Sequence, residues 1–421
     1  MLYKRARRFY DFSMRFFLSL PILVSSCFAF GFQNSEEGLN SQVDFLRQLV
    51  SVSSGTNDID GVGKVQDILA QELKKIGFTI QELPSEDPKI KSKQWVATKL
   101  GKTQKFITFI GHADTVFEKL NHFEISADGK TIKGSGVGDD KGGLSVGLYA
   151  LRDLIKQNPS LNYSLRFVMS PSEETGSVGY RELLRIFSKD SALILGLEPA
   201  LENGAIVNAR KGVRWYLIKV TGLEAHAGVN PEAGVNACQQ LSYFVDKIMA
   251  LSDFKSGNTI SVGHIEGGKD KFNIVCGSAE AKIDFRFVDH QSRDRIHTKI
   301  EAILKKITVR SQKNKIDSKV DYQIITEVPP FAASVQSQSL IKRYQKIIQD
   351  IEGREVKAVL TGGAADLNYM SGGSGFMLDG LGPVGGGYHT IDEYIETSSL
   401  ASRTEVLSRF LNAFDRDEFK K

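Results

Sequence analysis

The sequence predicts an α/β protein, with a mixed sheet flanked by helices, into which a small α+β unit is inserted. From about residue 40, helical and strand patterns alternate, as in layered α/β folds. After Gly212 the pattern changes to β-α-β-β-α-β, the order of a ferredoxin-like sandwich, and the alternation then resumes. We therefore expect one domain from residues 35–211 and 328–421, and an inserted domain from residues 212–327.

The individual elements follow from the spacing of the apolar residues. In the first part, helices are expected at residues 43–50, 65–76, 143–155 and 180–187, and short strands at 106–110, 165–169 and 193–197. In the inserted part, strands are expected at 213–221, 259–265, 279–288 and 319–326, and helices at 235–251 and 293–307. In the last part, helices at 339–351 and 398–414 flank strands at 356–360 and 375–378.

Residues 1–31 are expected to be a signal peptide. A basic stretch precedes an apolar run over residues 16–30, which is short for a membrane span and is broken by Pro21. This arrangement predicts a periplasmic or secreted protein. Two alternatives stay open: an uncleaved anchor, and a lipoprotein beginning at Cys27, because the preceding residues resemble a lipoprotein cleavage box. Met14 is a further candidate for the true start.

The bulk composition argues against nucleic-acid binding. The 421 residues are 41% hydrophobic and 25% charged, as in ordinary globular proteins. The formal net charge is only +4 and no basic stripe is present, so nucleic acid is not an expected partner. Three cysteines are too few for a disulfide framework, and we expect Cys238 and Cys276 to be buried thiols.

A His-x-Asp pair follows the first predicted strand of the sheet. His112 and Asp114 lie at the carboxyl end of the strand at 106–110, where the sites of open α/β sheets collect. If His112 binds a metal ion, Asp114 is placed to hold the other ring nitrogen and fix the tautomer. The alternative is a polar loop in which the two side chains only hydrogen-bond each other.

A glycine-rich segment with two adjacent acids comes next. Residues 134–143 resemble a phosphate-binding turn before a helix, but Asp139 and Asp140 would repel phosphate. Two carboxylates suit a divalent cation instead. A purely structural turn remains an alternative.

Three further segments complete a candidate metal centre. Glu173 and Glu174 directly follow a predicted strand, where acids also favour a solvated helix start. Glu198 ends another strand, and His389 lies in a glycine-rich loop far along the chain. Nitrogen and carboxylate ligands suit zinc better than calcium or magnesium. Two histidines and three carboxylates exceed the needs of one catalytic zinc, which favours two ions that share a carboxylate.

In combination these motifs resemble the dinuclear zinc peptidase and deacylase family of glutamate carboxypeptidase, aminoacylase, succinyl-diaminopimelate desuccinylase and carnosinase-type dipeptidases. The resemblance runs from about residue 40 to the C-terminus. It rests on the ordered set His-x-Asp, Gly-x-Gly-x-x-Asp-Asp-Lys-Gly-Gly, Glu-Glu-x-Gly, Glu-Pro, His-Ala-Gly and Gly-Tyr-His-Thr. It implies a zinc-peptidase catalytic domain with an inserted lid and dimerisation domain, and therefore a homodimer.

The resemblance also implies roles for individual residues. The implied ligands of two Zn²⁺ ions are His112, Asp139, Glu174, Glu198 and His389. Asp139 is expected to bridge the ions and to precede a cis peptide bond; His112 and Glu198 complete one site, Glu174 and His389 the other. Glu173 is the expected general base, and Asp114, which would hold the ring of His112, is a second expected catalytic residue. His226 is expected to reach the active site of the partner subunit; without the resemblance it is an ordinary loop histidine.

Three residues match substrate-binding positions of that family. Arg286 is expected to grip a substrate carboxylate, for which the guanidinium group is suited by its bidentate contacts. Asn273 matches an asparagine beside the same site, although the proline that usually follows it is missing here. Gly363 lies in a loop that matches a Gly-Gly-Thr-Asp-type segment, with Ala365 in place of the hydroxyl residue.

The predicted function is that of a zinc-dependent exopeptidase similar to glutamate carboxypeptidase, which hydrolyses an amide bond next to a free C-terminal carboxylate. The expected substrates are small peptides or N-acyl amino acids. The first alternative is an N-acyl-amino-acid deacylase or an aminopeptidase or dipeptidase of the same fold. The second, from a different class, is an exported binding protein with an inactive zinc site.

Overall fold

The computed structural model describes residues 36–119, 122–332, 334–373 and 375–420. The predicted signal peptide, the candidate lipidation site Cys27 and the alternative start Met14 lie outside these ranges. Within them, no helix combines the length and the apolar character that crossing a membrane requires.

Helices and strands alternate through most of the described chain. The helices are α1 (Glu36–Val50), α2 (Ile59–Lys75), α3 (Lys141–Gln157), α4 (Arg181–Asp190), α5 (Ala237–Met249), α6 (His290–Leu304), α7 (Val335–Glu352) and α8 (Thr397–Asp415). The strands are β1 (Thr79–Pro84), β2 (Lys93–Lys99), β3 (Phe106–His112), β4 (Phe123–Ile125), β5 (Thr131–Gly134), β6 (Ser164–Ser170), β7 (Ser191–Gly196), β8 (Ile206–Arg210), β9 (Gly212–Thr221), β10 (Thr259–Gly267), β11 (Ser278–Phe287), β12 (Lys319–Val328), β13 (Phe331–Ala332), β14 (Ala358–Thr361), β15 (Phe376–Leu378), β16 (Gly385–Gly386) and β17 (Tyr394–Glu396).

A mixed six-stranded sheet forms the centre of the larger part of the molecule. Its strand order is β1-β2-β6-β3-β7-β15. The neighbours β6, β3, β7 and β15 run parallel, whereas β2 is antiparallel to β6 and to β1. The carboxyl ends of the four parallel strands therefore meet at one edge of the sheet, where the residues that follow them collect.

Both faces of this sheet are covered, because successive side chains of a strand point to opposite faces. On one face Phe109 and Phe167 stack, with ring centroids 5.7 Å apart, in a core shared with α1, α2, α3 and α8. On the other face Ile110, Val168 and Ile194 pack in a second cluster with residues of α4. Burial on both faces explains why β3, β6 and β7 are continuous apolar runs in the sequence.

Two small sheets lie beside the central one. The first has the order β13-β8-β14, and the second has the order β16-β17-β5-β4. In the second sheet Ile395 of β17 pairs with Ile132 of β5. This pairing places the segment between β16 and β17 next to the glycine-rich segment that follows β5.

Residues of β9 to β12 form a separate antiparallel sheet of the order β10-β11-β9-β12. The elements follow one another as β-α-β-β-α-β, with α5 and α6 contributing to a core of their own. Along β9 the side chains alternate: Tyr216 and Ile218 are buried, and Trp215 and Lys219 are exposed. Asn236 and Asp289 cap the two helices by accepting backbone N–H groups of their first turns. The lid and dimerisation role of this unit stays a prediction.

The expectation that Cys238 and Cys276 are separate thiols is wrong. The two residues, 38 positions apart, form a disulfide bond. The backbone N–H of Ala237 donates to the carbonyl of Cys276 at 2.8 Å, so the start of α5 lies against the segment before β11. The disulfide therefore depends on how α5 packs against the segment before β11. The local sequence around each cysteine does not reveal this packing, so the pairing could not be predicted.

Candidate functional site

The predicted ligands gather at the carboxyl edge of the central sheet. His112 is the last residue of β3 and pairs with Ser170, the last residue of β6. Glu173 and Glu174 follow β6 in a single 3-10 turn, and Glu198 lies two residues beyond β7. The remaining two ligands come from the loops beside this edge.

Asp139 lies between the two histidines. Its Oδ1 is 2.9 Å from Nε2 of His112, and its Oδ2 is 3.2 Å from Nε2 of His389. Glu198 Oε1 lies 3.8 Å from His112 Nε2, and Glu174 Oε2 lies 3.4 Å from His389 Nε2. The side chains form two groups of possible metal ligands: His112, Asp139 and Glu198, and Asp139, Glu174 and His389. Within each group the ligand atoms lie within 4.8 Å of one another, and Asp139 belongs to both groups.

Close packing around Asp139 explains two glycines of the sequence. A Cβ atom on Gly111 would come within 2.4 Å of Oδ2 of Asp140, which accepts the backbone N–H of His112. A Cβ atom on Gly138 would come within 2.6 Å of the Tyr388 ring. The Asp139–Asp140 peptide bond is cis, as expected from the sequence.

Asp114 is fully buried and connects three parts of the site. Its Oδ1 lies 3.4 Å from Nδ1 of His112, and its backbone carbonyl lies 2.9 Å from the same nitrogen. Its carboxylate also accepts the backbone N–H groups of Glu173 and Glu174, at 3.0 and 3.2 Å, and the hydroxyl of Thr56 at 2.6 Å. These contacts orient the ring of His112 and fix the turn that carries the two glutamates.

The electrostatics of the site match a place for cations. Burial raises the pKa of Glu174 to about 7 and that of Glu198 to about 8, and the charge of Asp139 adds to both shifts. Burial also opposes ionisation of Asp139, but hydrogen bonds from His112 and His389 outweigh it and lower its pKa. Several acids thus lie close together around the two imidazoles. Metal ions would relieve this repulsion, so the residues present fit a dinuclear metal centre.

Glu173 differs from its neighbour because it belongs to neither ligand group. Burial raises its pKa well above the usual value, and the nearby charge of Glu198 raises it further. A carboxylate beside the ligands, with a raised pKa, is suited to accept and return a proton. The catalytic role of Glu173 stays a prediction.

The structure brings two of the three predicted substrate residues together. Arg286, at the end of β11, donates to Asp284 at 2.8 Å and to the carbonyl of Gly362 at 3.2 Å. Gly363, the next residue, therefore lies beside Arg286, and its own carbonyl accepts Nη1 of Arg210 at 3.3 Å. The inserted unit thus contacts the larger part of the molecule at this point.

His226 and Asn273 lie elsewhere. The backbone N–H of Ala227 donates to the carbonyl of Asn273 at 2.9 Å, which places the two predicted residues side by side before the opposite end of β11. His226 is exposed, and its ring accepts the N–H of Gly228 at 3.2 Å. Within one chain, Asn273 and Arg286 therefore lie near opposite ends of β11, and their shared role in substrate binding stays a prediction.

Sequence reasoning missed several residues that support the site. Arg210 and Asp379 form a buried ion pair at 2.5 Å, and the charge of Arg210 reaches Glu198. Glu393, buried in the loop before β17, accepts three backbone N–H groups of the segment that carries Asp139. Thr56, as described, supports Asp114. None of these residues belongs to a recognisable sequence motif. The only signal that could have found Arg210 and Asp379 is a weak one, a charged residue at the end of a strand.

Several peptidases and related hydrolases are similar to this chain over most of its length. Carboxypeptidase G2 from Pseudomonas sp. (strain RS-16) is 27% identical over 386 residues, which cover 90% of this chain and 91% of the relative. Succinyl-diaminopimelate desuccinylase from Hydrogenovibrio crunogenus is 25% identical over 388 residues, covering 87% and 97%. A tripeptidase from Staphylococcus aureus shares the fold, with a TM-score of 0.75 and 20% identity over 90% of this chain and 99% of that one.

A family model matches the part of the chain that contains the site. The match covers residues 108–413, well over half of the chain, and includes all the side chains that converge around Asp139. The proteins of this family are typically dependent on a pair of metal ions, in agreement with the two ligand groups. The chain therefore belongs to peptidase family M20/M25/M40 and is a hydrolase of peptide or related amide bonds.

Proposed function

We propose that this protein is a dinuclear zinc exopeptidase that hydrolyses an amide bond next to a free C-terminal carboxylate, in the manner of a glutamate carboxypeptidase. One observation carries the proposal: two sets of candidate ligand atoms share Asp139, and Glu173, which belongs to neither set, is near enough to feel the charges of Glu198 and His112. Imidazole and carboxylate ligands favour zinc over calcium or magnesium. When bound, the ions polarise the scissile carbonyl and increase the acidity of a water molecule.

The residues of the chain perform the remaining steps. Asp114 holds the ring of His112 and, through its bonds to two backbone N–H groups, the turn of Glu173. In our proposal Glu173 accepts a proton from the attacking water and then delivers it to the leaving amine. Burial and the nearby charge of Glu198 raise its pKa, which favours the protonated form that delivers the proton to the leaving amine.

Arg286 is proposed to bind the free carboxylate of the substrate. Its guanidinium is about one third exposed (31%) and is held by Asp284 and by the carbonyl of Gly362. A guanidinium fixed by two partners keeps its remaining donors in one orientation, which favours a bidentate contact with a carboxylate. Gly363 forms part of the same loop, so a substrate carboxylate there would lie between the two parts of the chain.

We also propose a homodimer formed through the inserted unit, in which His226 stabilises the oxyanion in the active site of the partner subunit. The support is geometric: His226 is exposed and lies next to Asn273, away from the cluster around Asp139. Both residues were expected at the active site, and a second copy is the direct way to bring them there.

Export remains part of the proposal. The disulfide between Cys238 and Cys276 supports it, because such bonds persist mainly in oxidising compartments. Membership of the family supports hydrolysis but does not identify the amino acid that is released.

A second candidate function, N-acyl-amino-acid deacylation, is favoured by the similarity to succinyl-diaminopimelate desuccinylase.

A panel of substrates tests the proposal. Zinc-loaded protein is assayed with peptides and folate-like amides ending in glutamate, with N-acetyl and N-succinyl amino acids, and with dipeptides that have a free amine. We expect hydrolysis of the first set and loss of activity after chelation. Preferred cleavage of the acyl amino acids would replace the proposal with the deacylase. Stoichiometric zinc without any hydrolysis would indicate a binding protein.

A further inference from the structure

A buried carboxylate lies directly behind the shared ligand. Glu393 is 1% exposed. Its Oε2 accepts the backbone N–H of Gly136 at 2.9 Å, and its Oε1 accepts those of Gly138 and Asp139 at 2.8 and 2.9 Å. Three donors of one turn therefore converge on the two oxygens of a single side chain.

Glu393 also belongs to the loop that carries the second histidine. Its backbone N–H donates to the carbonyl of Thr390 at 3.2 Å and so closes the turn that follows His389. Its carbonyl accepts the N–H of Gly134 at 3.1 Å. The side chain and the backbone of one residue thus connect the segment of Asp139 with the segment of His389, which are 250 positions apart.

These bonds determine where Asp139 points. Buried N–H groups need acceptors, and the two carboxylate oxygens of Glu393 supply them for Gly136, Gly138 and Asp139. The peptide plane before Asp139 is fixed by the bond to Glu393. Its side chain then reaches His112 with one oxygen and His389 with the other, at 2.9 and 3.2 Å.

We propose that Glu393 is a positioning residue for the metal pair, which sets the direction of Asp139 and its separation from His389. The inference rests on the proposed dinuclear zinc centre and adds to it a residue that is not a ligand. Glu393 contacts neither the ions nor the substrate in this proposal. Its effect passes through the backbone of the two loops.

The test compares Glu393→Gln with the matched variant Glu396→Gln, three residues later at the end of β17. The carboxamide replaces one acceptor oxygen with a donor, so at least one of the three N–H groups loses its partner. We expect zinc affinity, measured by competition with a chelator, to fall about 10- to 100-fold for Glu393→Gln, as for other residues that orient ligands. Glu396→Gln should match the wild type.

A second measurement uses metal-free protein. Hydrogen exchange of residues 134–141 should be faster in Glu393→Gln than in the wild type, and unchanged in Glu396→Gln. Faster exchange with unaltered zinc affinity would overturn the inference, because Glu393 would then only fasten the turn. Unaltered exchange would overturn it as well. If the wild type binds no zinc, the metal centre itself is refuted, and the inference falls with it.

A second variant, which keeps the carboxylate, is used if the first one does not fold. If Glu393→Gln does not fold, as judged by circular dichroism, Glu393→Asp replaces it. The shorter side chain retracts the carboxylate by about 1.5 Å, roughly one C–C bond, so it cannot reach all three N–H groups. Zinc affinity should again fall while the fold is retained, and wild-type affinity in this variant would contradict the proposal.

Discussion

Two adjacent glutamates illustrate how much depends on single residues in this site. Glu174 points at His389, with 3.4 Å between Oε2 and Nε2, whereas Glu173 belongs to neither ligand group. Their backbone N–H groups are both held by Asp114. One short turn therefore presents the candidate ligand and the proposed proton carrier in fixed relation, since neighbouring side chains of a turn leave it in different directions.

The different roles proposed for Glu173 and Glu174 can be tested by measuring the turnover and the zinc content of single variants. Glu173→Ala should lower kcat by about 10²- to 10⁴-fold, the usual contribution of a general base. Zinc content should stay at the wild-type level, because no ligand is removed. Glu174→Ala provides the contrast and should lose metal as well as activity. Near-normal turnover of Glu173→Ala would remove Glu173 from the mechanism.

At the scale of elements, each helix and strand expected from the sequence has a counterpart in the described structure. Strands β3, β6 and β7 were predictable because burial on both faces makes them continuous apolar runs. The two-residue strands β13 and β16 carry too little periodicity to be recognised. The same limit applies to the site: candidate ligands that follow a strand could be predicted from the sequence, whereas Glu393 contacts backbone groups 254 or more positions away, which no local pattern reveals.

The disulfide of the inserted unit should stabilise it. A double Cys238→Ser, Cys276→Ser variant should lose about 3–4 kcal/mol of unfolding free energy, from the entropy of closing a loop of this length. Urea unfolding under oxidising conditions measures the difference. Reducing agent should destabilise the wild type and leave the double variant unchanged. Equal stability of both proteins without reducing agent would contradict the prediction.

A pH effect is expected where α3 meets α8. Burial, together with the charge of Glu405, raises the pKa of Asp153 to about 6, despite nearby Lys156. Between pH 4 and 6 the folded state then binds the proton more tightly than the unfolded state, so this group favours folding at low pH and opposes it at neutral pH. Asp153→Asn should stabilise metal-free protein at pH 7.5 by about 1 kcal/mol, allowing for solvent screening, and much less at pH 4. Equal gains at both pH values would contradict this assignment.

At the scale of the whole molecule, the site of one chain is incomplete if His226 acts in the partner subunit. Complementation tests this. Glu173→Ala and His226→Ala proteins should each be nearly inactive, but a refolded equimolar mixture should regain roughly a quarter of wild-type activity, because half of the dimers are mixed and each has one intact site. No recovery, with mixed dimers verified by differential tagging, would place His226 in its own subunit or outside the reaction.

The shared carboxylate at 139 has a consequence for biogenesis. Its imidazole partners stand at 112 and 389, on either side of the inserted unit, so a nascent or truncated polypeptide lacks a complete cage. If the proposed metal pair is bound here, its capture would follow the meeting of these distant segments after synthesis. In the proposed metalloenzyme, the supply of metal ions during maturation would therefore limit how much of the folded protein becomes active.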